Sequence, residues 1–135
     1  MKQSSYRYLG LLDLLLVAAL VGVFGPAALA RSVAAPGMIV AGVLALLAGT
    51  VAELSVGPVT VTWRHLVGAS YAIFALVMPA IYAPTVFAGS AGGAELLLFV
   101  AAIVGGVSLL FYGVDVARDG RHFEVDADVE RAIAL

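Results

Sequence analysis

The chain has 135 residues, of which 63% are hydrophobic and 12% are charged, and its formal net charge at pH 7 is −2. Soluble domains are about 45–50% apolar and about 25% charged, and a chain of this length cannot bury so large an apolar excess. The composition therefore excludes a water-soluble enzyme, a nucleic-acid-binding domain and a disordered chain. The absence of cysteine excludes disulfides and Cys-ligated metals.

Four apolar stretches are each long enough to cross a bilayer as a helix, which takes about 20 residues. They cover residues 9–30, 35–54, 66–88 and 94–116, and turn-forming residues separate them. The sequence therefore predicts an all-α membrane protein, in which residues 1–116 form a compact bundle of four transmembrane helices.

The first stretch has an alternative interpretation as a signal peptide. Lys2 and Arg7 precede the apolar run, and small residues around Ala30 resemble a cleavage site. Because Asp13 interrupts the run, and because the run is long for a signal peptide, we favour a retained helix.

The basic residues predict the orientation of the helices. If both termini lie inside, Lys2, Arg7, Arg64 and the tail arginines are cytoplasmic and only Arg31 lies outside. Short loops rich in Lys and Arg stay in the cytoplasm. We therefore expect cytoplasmic N and C termini, in a cell membrane or in the envelope membrane of a virus.

A weak internal repeat relates the two halves of the chain. A shift of 58 residues aligns Pro26 with Pro84 and Ser32 with Ser90. This pattern is compatible with two parallel helical hairpins. Chance matching between sequences rich in alanine and glycine is the alternative.

The connection between the second and third stretches shows a different periodicity. Val59, Val61 and Trp63 alternate with polar residues, and alternation of this kind is typical of an extended segment. An ordinary loop is the interpretation that we favour.

Small residues recur at a spacing of four along the predicted helices. Helices in lipid associate by close backbone approach at such residues. We expect leucine at Gly49 or Gly105 to disrupt packing, either within the bundle or with a partner subunit. The predicted packing residues are Ala41, Ala45, Gly49, Ala101, Gly105 and Gly106.

Acidic residues within the apolar stretches are the candidates for chemistry, because charge is costly there. Asp13 lies about one turn inside the first stretch, and Glu53 lies at the inner end of the second, close to Arg64. These three residues are interpreted either as an ion-paired ring or as a cation or proton site. Glu95 is expected to cap the fourth helix, and Asp115 is expected to be a solvated charge.

No catalytic residue, cofactor or metal site is predicted. Both histidines lie outside the apolar stretches and have no cysteine with which to bind a transition metal. No serine has a base beside it that would activate it as a nucleophile.

Residues 117–135 form an acidic tail. Val125, Val129 and Ile133 recur every four residues, which is compatible with a short amphipathic helix, and a frayed solvated tail is the alternative. Because its charge is acidic, we expect the tail to favour a protein partner over anionic lipid.

The function predicted from the sequence is that of a non-enzymatic structural or accessory subunit of a larger membrane assembly. A respiratory complex, a transport complex and a virion envelope are examples. The expected partners are the lipid bilayer and either further copies of the chain or other membrane subunits, with no nucleic acid. The alternative is a small oligomeric cation- or proton-coupled transporter or channel that uses Asp13 and Glu53.

Overall fold

The computed structural model describes Met1–Leu135 and contains six helices and one three-stranded sheet. The helices are α1 (Ser5–Phe24), α2 (Ala28–Arg31), α3 (Ala34–Ala48), α4 (Trp63–Ala80), α5 (Ala83–Phe87) and α6 (Gly93–Ala117). The strands are β1 (Glu53–Val56), β2 (Val59–Thr62) and β3 (Ala132–Ala134).

The predicted all-α bundle of four transmembrane helices is wrong, and a multi-pass four-helix bundle is not supported. The chain contains a mixed sheet, and only α1 and α6 are long and apolar enough to cross a membrane by length and composition. The 15 residues of α3 extend about 22 Å, which is short of the roughly 30 Å hydrocarbon core. Arg64 and His65 in the first turn of α4 lower its apolar character.

Glycine and proline residues end or divide the helices before the predicted apolar stretches end. α1 ends at Phe24 because Gly25 takes a positive φ of 78°, and Pro26 follows it. The stretch 66–88 divides into α4 and α5, with Pro79 in the last turn of α4 and Pro84 in the first turn of α5. Proline cannot donate a helical hydrogen bond, which favours such a break.

The two halves of the chain do not form equivalent hairpins. Each half has a long, a short and a long helix, but α3 has 15 residues whereas α6 has 25. A strand hairpin follows α3, and an extended tail follows α6. The predicted architecture of two matching helical hairpins is therefore not the observed one.

The four longer helices pack side by side in the order α1, α3, α4, α6. α1 turns Tyr6, Gly10, Asp13 and Val17 inward, a spacing of three or four residues that defines one helix face. As the outer helices of the row, α1 and α6 leave their remaining faces exposed.

Glycine lets α1 and α3 approach each other closely. A Cβ atom on Gly10 would lie 2.5 Å from the carbonyl oxygen of Gly42, and one on Gly49 would overlap the backbone of Arg7. Two of the predicted packing alanines, Ala41 and Ala45, are buried on α3.

The predicted packing residues of α6 fall on two different faces. Gly106 contacts α4, where an added Cβ atom would lie 2.6 Å from the carbonyl oxygen of Ala75. A Cβ atom on Gly105 would meet nothing within 4 Å, and Ala101 is exposed. Within the chain, only Gly106 of these three packs against a neighbouring helix.

The alternating segment between α3 and α4 is a β-hairpin, so the favoured loop interpretation is wrong. β1 pairs antiparallel with β2, with Val56 opposite Val59. Gly57, with a φ of 58°, and Pro58 form the two-residue turn, as is typical of tight hairpins with glycine at the first turn position.

The C-terminal tail is extended and forms no amphipathic helix. β3 pairs in parallel with β1, with Glu53 opposite Ala132 and Ser55 opposite Ala134, giving the strand order β2-β1-β3. Because the tail's backbone groups bond to the hairpin, its four-residue apolar spacing does not produce a helix.

We call the first four residues, the β1–β2 hairpin and residues 118–135 the terminal cap. The largest hydrophobic cluster lies between this cap and the helix ends that it covers. Its buried members are Tyr6, Ala48, Val51, Trp63, Leu66, Val67, Val116 and Val125.

The α1–α3 contact predicts opposite outcomes for two glycine substitutions. Gly49→Leu should destabilise the chain by about 1–3 kcal/mol, because its side chain must displace the backbone of α1. Gly105→Leu should stabilise the chain by up to about 1 kcal/mol, because its side chain enters open space and leucine has a higher helix propensity than glycine. Unfolding of the monomer in detergent, followed by circular dichroism, measures both. Equal losses in the two variants would contradict the packing.

Candidate functional site

The structure does not bring the predicted site residues Asp13, Glu53 and Arg64 together. Glu53 is exposed at the start of β1. Arg64 lies 3.8 Å from Asp119, measured from Nε to Oδ1, and its guanidinium stacks 4.7 Å from the ring centroid of Trp63. None of the three residues forms an ion pair with another.

Asp13 is buried between α1 and α3, with 6% of the residue exposed. A Cβ atom on Gly42 would lie 2.7 Å from its Oδ2 atom, so glycine makes room for the carboxyl group. That Oδ2 atom is buried and has no hydrogen-bond partner. Burying an unpaired charge is costly, and either protonation or a bound cation would relieve the cost.

Gln3 joins the N-terminal segment to the end of α3. The residue is 0% exposed, and its Nε2 atom donates hydrogen bonds of 2.9 Å to the carbonyl oxygens of Ala48 and Val51. The last carbonyls of a helix have no partner within the helix. The amide therefore satisfies groups that would otherwise be buried without a partner.

The first residues of the chain also bond to the tail. The Gln3 N–H donates to the carbonyl oxygen of Asp126 at 2.9 Å, and the Asp126 N–H donates to the carbonyl oxygen of Met1 at 3.0 Å. The N–H and Oγ–H of Ser4 donate to the carboxylate of Asp128 at 2.8 and 2.6 Å. These two bonds hold the pKa of Asp128 below its ordinary value.

Asp115 turns the chain back at the end of α6. Its carboxylate accepts hydrogen bonds from the backbone N–H groups of His122 at 3.0 Å and Phe123 at 2.9 Å, and it lies 2.8 Å from His122 Nδ1. Asp115 is only 9% exposed, so the expectation of a solvated charge is wrong. The residue holds the start of the tail against the helix.

A cavity of about 380 Å³ lies beside this turn. Arg118 and Arg121 reach it without an ion-pair partner, since the described ion pairs are Arg64–Asp119 and His122–Asp115. Its lining residues are Phe111, Val114, Asp115, Arg118, Arg121 and His122. No group of three or more His, Asp or Glu side chains is placed to hold a metal ion.

Aromatic side chains connect α1, α4 and α6 at the end nearest the terminal cap. The hydroxyl groups of Tyr6 and Tyr112 are 2.8 Å apart. The ring of Tyr71 packs edge-on against both, at centroid distances of 6.4 and 4.8 Å. This contact brings the two outer helices of the row together.

The sequence identified Asp13 as a buried acid of α1 and Glu95 as a helix cap. It did not predict the contacts within the terminal cap. The prediction for Glu95 is confirmed, because its Oε2 atom accepts the N–H of Gly92 at 2.9 Å. Nothing distinguished Gln3 or Ser4 from ordinary polar residues before an apolar run. In the sequence, the only sign that Asp115 and His122 could meet is Gly120, which lies between them. This glycine takes a positive φ in the structure.

Residues 1–129 match the model of DUF7994, a family of unknown function, and the chain belongs to this family. No curated protein and no solved structure matches the chain. The matched residues include all six helices and the Ser4–Asp128 contact. The family description assigns no activity.

The Ser4–Asp128 contact predicts a stability difference that depends on pH. Because the folded-state pKa of Asp128 is lowered, its contribution is complete above the ordinary aspartate pKa of about 3.9 and is lost as the pH falls through the lower folded pKa. Asp128→Ala should therefore lower the Tm at pH 7, and its difference from the wild type should shrink below about pH 4.

Asp126→Ala is the matched control, because Asp126 also bonds to the N-terminal segment, but through its backbone and not its carboxylate. We expect its Tm to follow the wild type across the pH range. A Tm difference for Asp128→Ala that stays constant from pH 7 to pH 3 would contradict the prediction. Thermal melting in detergent at each pH provides the measurement.

Proposed function

We propose that the chain is a small membrane protein whose helices α1 and α6 lie in lipid, and that it serves as a structural or accessory subunit of a larger membrane assembly. The observation that carries the proposal is the exposure of these helices. In the most apolar 18-residue window of each, 17% of the residues are buried inside the chain. The core helix of a water-soluble protein would be mostly buried.

The exposed side chains are large and apolar. Leu15 on α1 is 65% exposed and Leu97 on α6 is 73% exposed, and their neighbours along both helices are similarly uncovered. Contiguous apolar surface of this extent is rare on soluble monomers. Lipid or a membrane partner is the environment that suits it.

The charges support one orientation in the bilayer. Six of the seven Lys and Arg residues belong to the terminal cap or to the helix turns beside it, and the seventh, Arg31, ends α2. The positive-inside rule then favours a terminal cap in the cytoplasm.

The outward face of α6 supports the role of a subunit. Gly105 meets no atom of its own chain, and exposed Ala101 lies one turn before it on the same face. Small residues of this kind allow the backbone of a partner helix to approach. A second copy of the chain or another membrane subunit would fit this face.

An extraction and cross-linking experiment tests the proposal. We expect the wild-type chain to stay in the membrane pellet after an alkaline carbonate wash and to leave it only with detergent. Cross-linking in native membranes should join it to a partner, and Gly105→Leu should reduce the cross-linked product several-fold.

Val107→Leu is the matched control, because Val107 is also exposed on α6 but lies on a different face of the helix from Gly105. It should leave the cross-linked product unchanged. Release of the wild type by carbonate would contradict the membrane location. Equal cross-linking of the wild type and Gly105→Leu would contradict the role assigned to α6.

Asp13 favours a second candidate function, proton or cation transfer by an oligomer. A buried carboxyl oxygen without a partner is the kind of group that binds an ion within a membrane. The exposed Glu53 lies outside this site, so we assign the ion to Asp13 alone.

Flux into liposomes distinguishes the two functions. If the chain transfers protons or cations, Asp13→Asn should abolish the flux and Glu53→Gln should retain it. That result would replace the subunit proposal with transport. Absence of proton, sodium and potassium flux in the wild type would contradict the transport function.

A further inference from the structure

The cavity beside the Asp115 turn combines basic and apolar walls. Arg118, Arg121 and His122 line one part of it, and Phe111 and Val114 line another. It lies where α6 ends and the polar tail begins. If α6 lies in lipid, this is the depth at which lipid phosphates meet the hydrocarbon region.

The charge of Asp115 does not cancel that of the arginines. Its carboxylate is occupied by the two backbone N–H groups and by His122 Nδ1. Neither Arg118 nor Arg121 has an ion-pair partner in the chain. Two guanidinium groups are therefore available to an anion.

Asp115 is the only acid that lines the cavity, and two acids of the terminal cap have partners elsewhere. Asp119 pairs with Arg64, Asp128 bonds to Ser4, and Asp126 belongs to the segment that pairs with the N-terminus. The tail is acidic overall, but its first turn presents arginine to this cavity.

We propose that this cavity binds the phosphate group of an anionic phospholipid. Arginine suits a phosphate because its planar guanidinium group can donate two parallel hydrogen bonds. Exposed Val107, Leu110 and Phe111 continue from the cavity along α6, at the spacing of one helix face, and offer a surface to the acyl chains. The inference rests on the proposed location of α6 in lipid.

Lipid binding to the full chain in a neutral detergent tests the inference. Native mass spectrometry counts the dioleoylphosphatidylglycerol or dioleoylphosphatidylcholine bound to each chain. We expect the wild type to retain several-fold more phosphatidylglycerol, and the double variant Arg118→Gln/Arg121→Gln to retain no more of it than of phosphatidylcholine. Arg31→Gln/Arg131→Gln removes the same charge outside the cavity and should retain the selectivity.

Three results would overturn the inference. They are equal retention of both lipids by the wild type, unchanged selectivity in Arg118→Gln/Arg121→Gln, and displacement of phosphatidylglycerol by millimolar inorganic phosphate, which would indicate an ion site only. The carbonate wash, applied to the same variants, separates this failure from that of the proposed function. Chains that stay in the membrane without lipid selectivity contradict the lipid site alone, whereas release of the wild type contradicts the membrane location.

Discussion

The buried side-chain amide of Gln3 is the contact on which the terminal cap depends. Its Nε2 atom satisfies the carbonyl oxygens of Ala48 and Val51 at the end of α3, while its backbone N–H bonds to Asp126. Gln3 thus connects the end of α3 to the C-terminal tail. The N-terminal segment, the hairpin and the tail consequently hold one another in place, although each is too short to be stable alone.

The contacts between the helices and the contacts beneath the terminal cap use different interactions. Along the helices, contact is made by glycine and alanine, which let the helix backbones approach closely. Beneath the cap, contact is made by large side chains such as Tyr6 and Trp63 and by hydrogen bonds to backbone groups. The two buried acids follow this division. Asp115 has three hydrogen-bond donors, whereas Asp13, like Gln3, has a buried side-chain oxygen without a partner.

The sequence predicted the ends of a helix well where neighbouring residues mark them. The predicted stretch 94–116 differs from α6 by one residue at each end, because glycine precedes it and charged residues follow it. The stretch 9–30 extended beyond α1, because apolar composition outweighed the Gly25–Pro26 break. Of the predicted site, the depth of Asp13 could be anticipated from its place in an apolar run. The separation of Asp13 from Glu53 could not be anticipated, because Glu53 begins β1 and does not lie at the end of the predicted second helix.

The sequence by itself determined the apolar helices, the concentration of basic residues near one end and the close approach at Gly49 and Gly106. These follow from composition and from spacing along one helix. Only the tertiary structure decided that the tail pairs with β1, that Gln3 is buried and that Arg118 and Arg121 share a cavity. The physical reason is that the first two contacts join segments far apart in the chain by hydrogen bonds to backbone groups. The third depends on the turn that the Asp115 side chain holds. Neither kind of contact leaves a periodic pattern in the sequence.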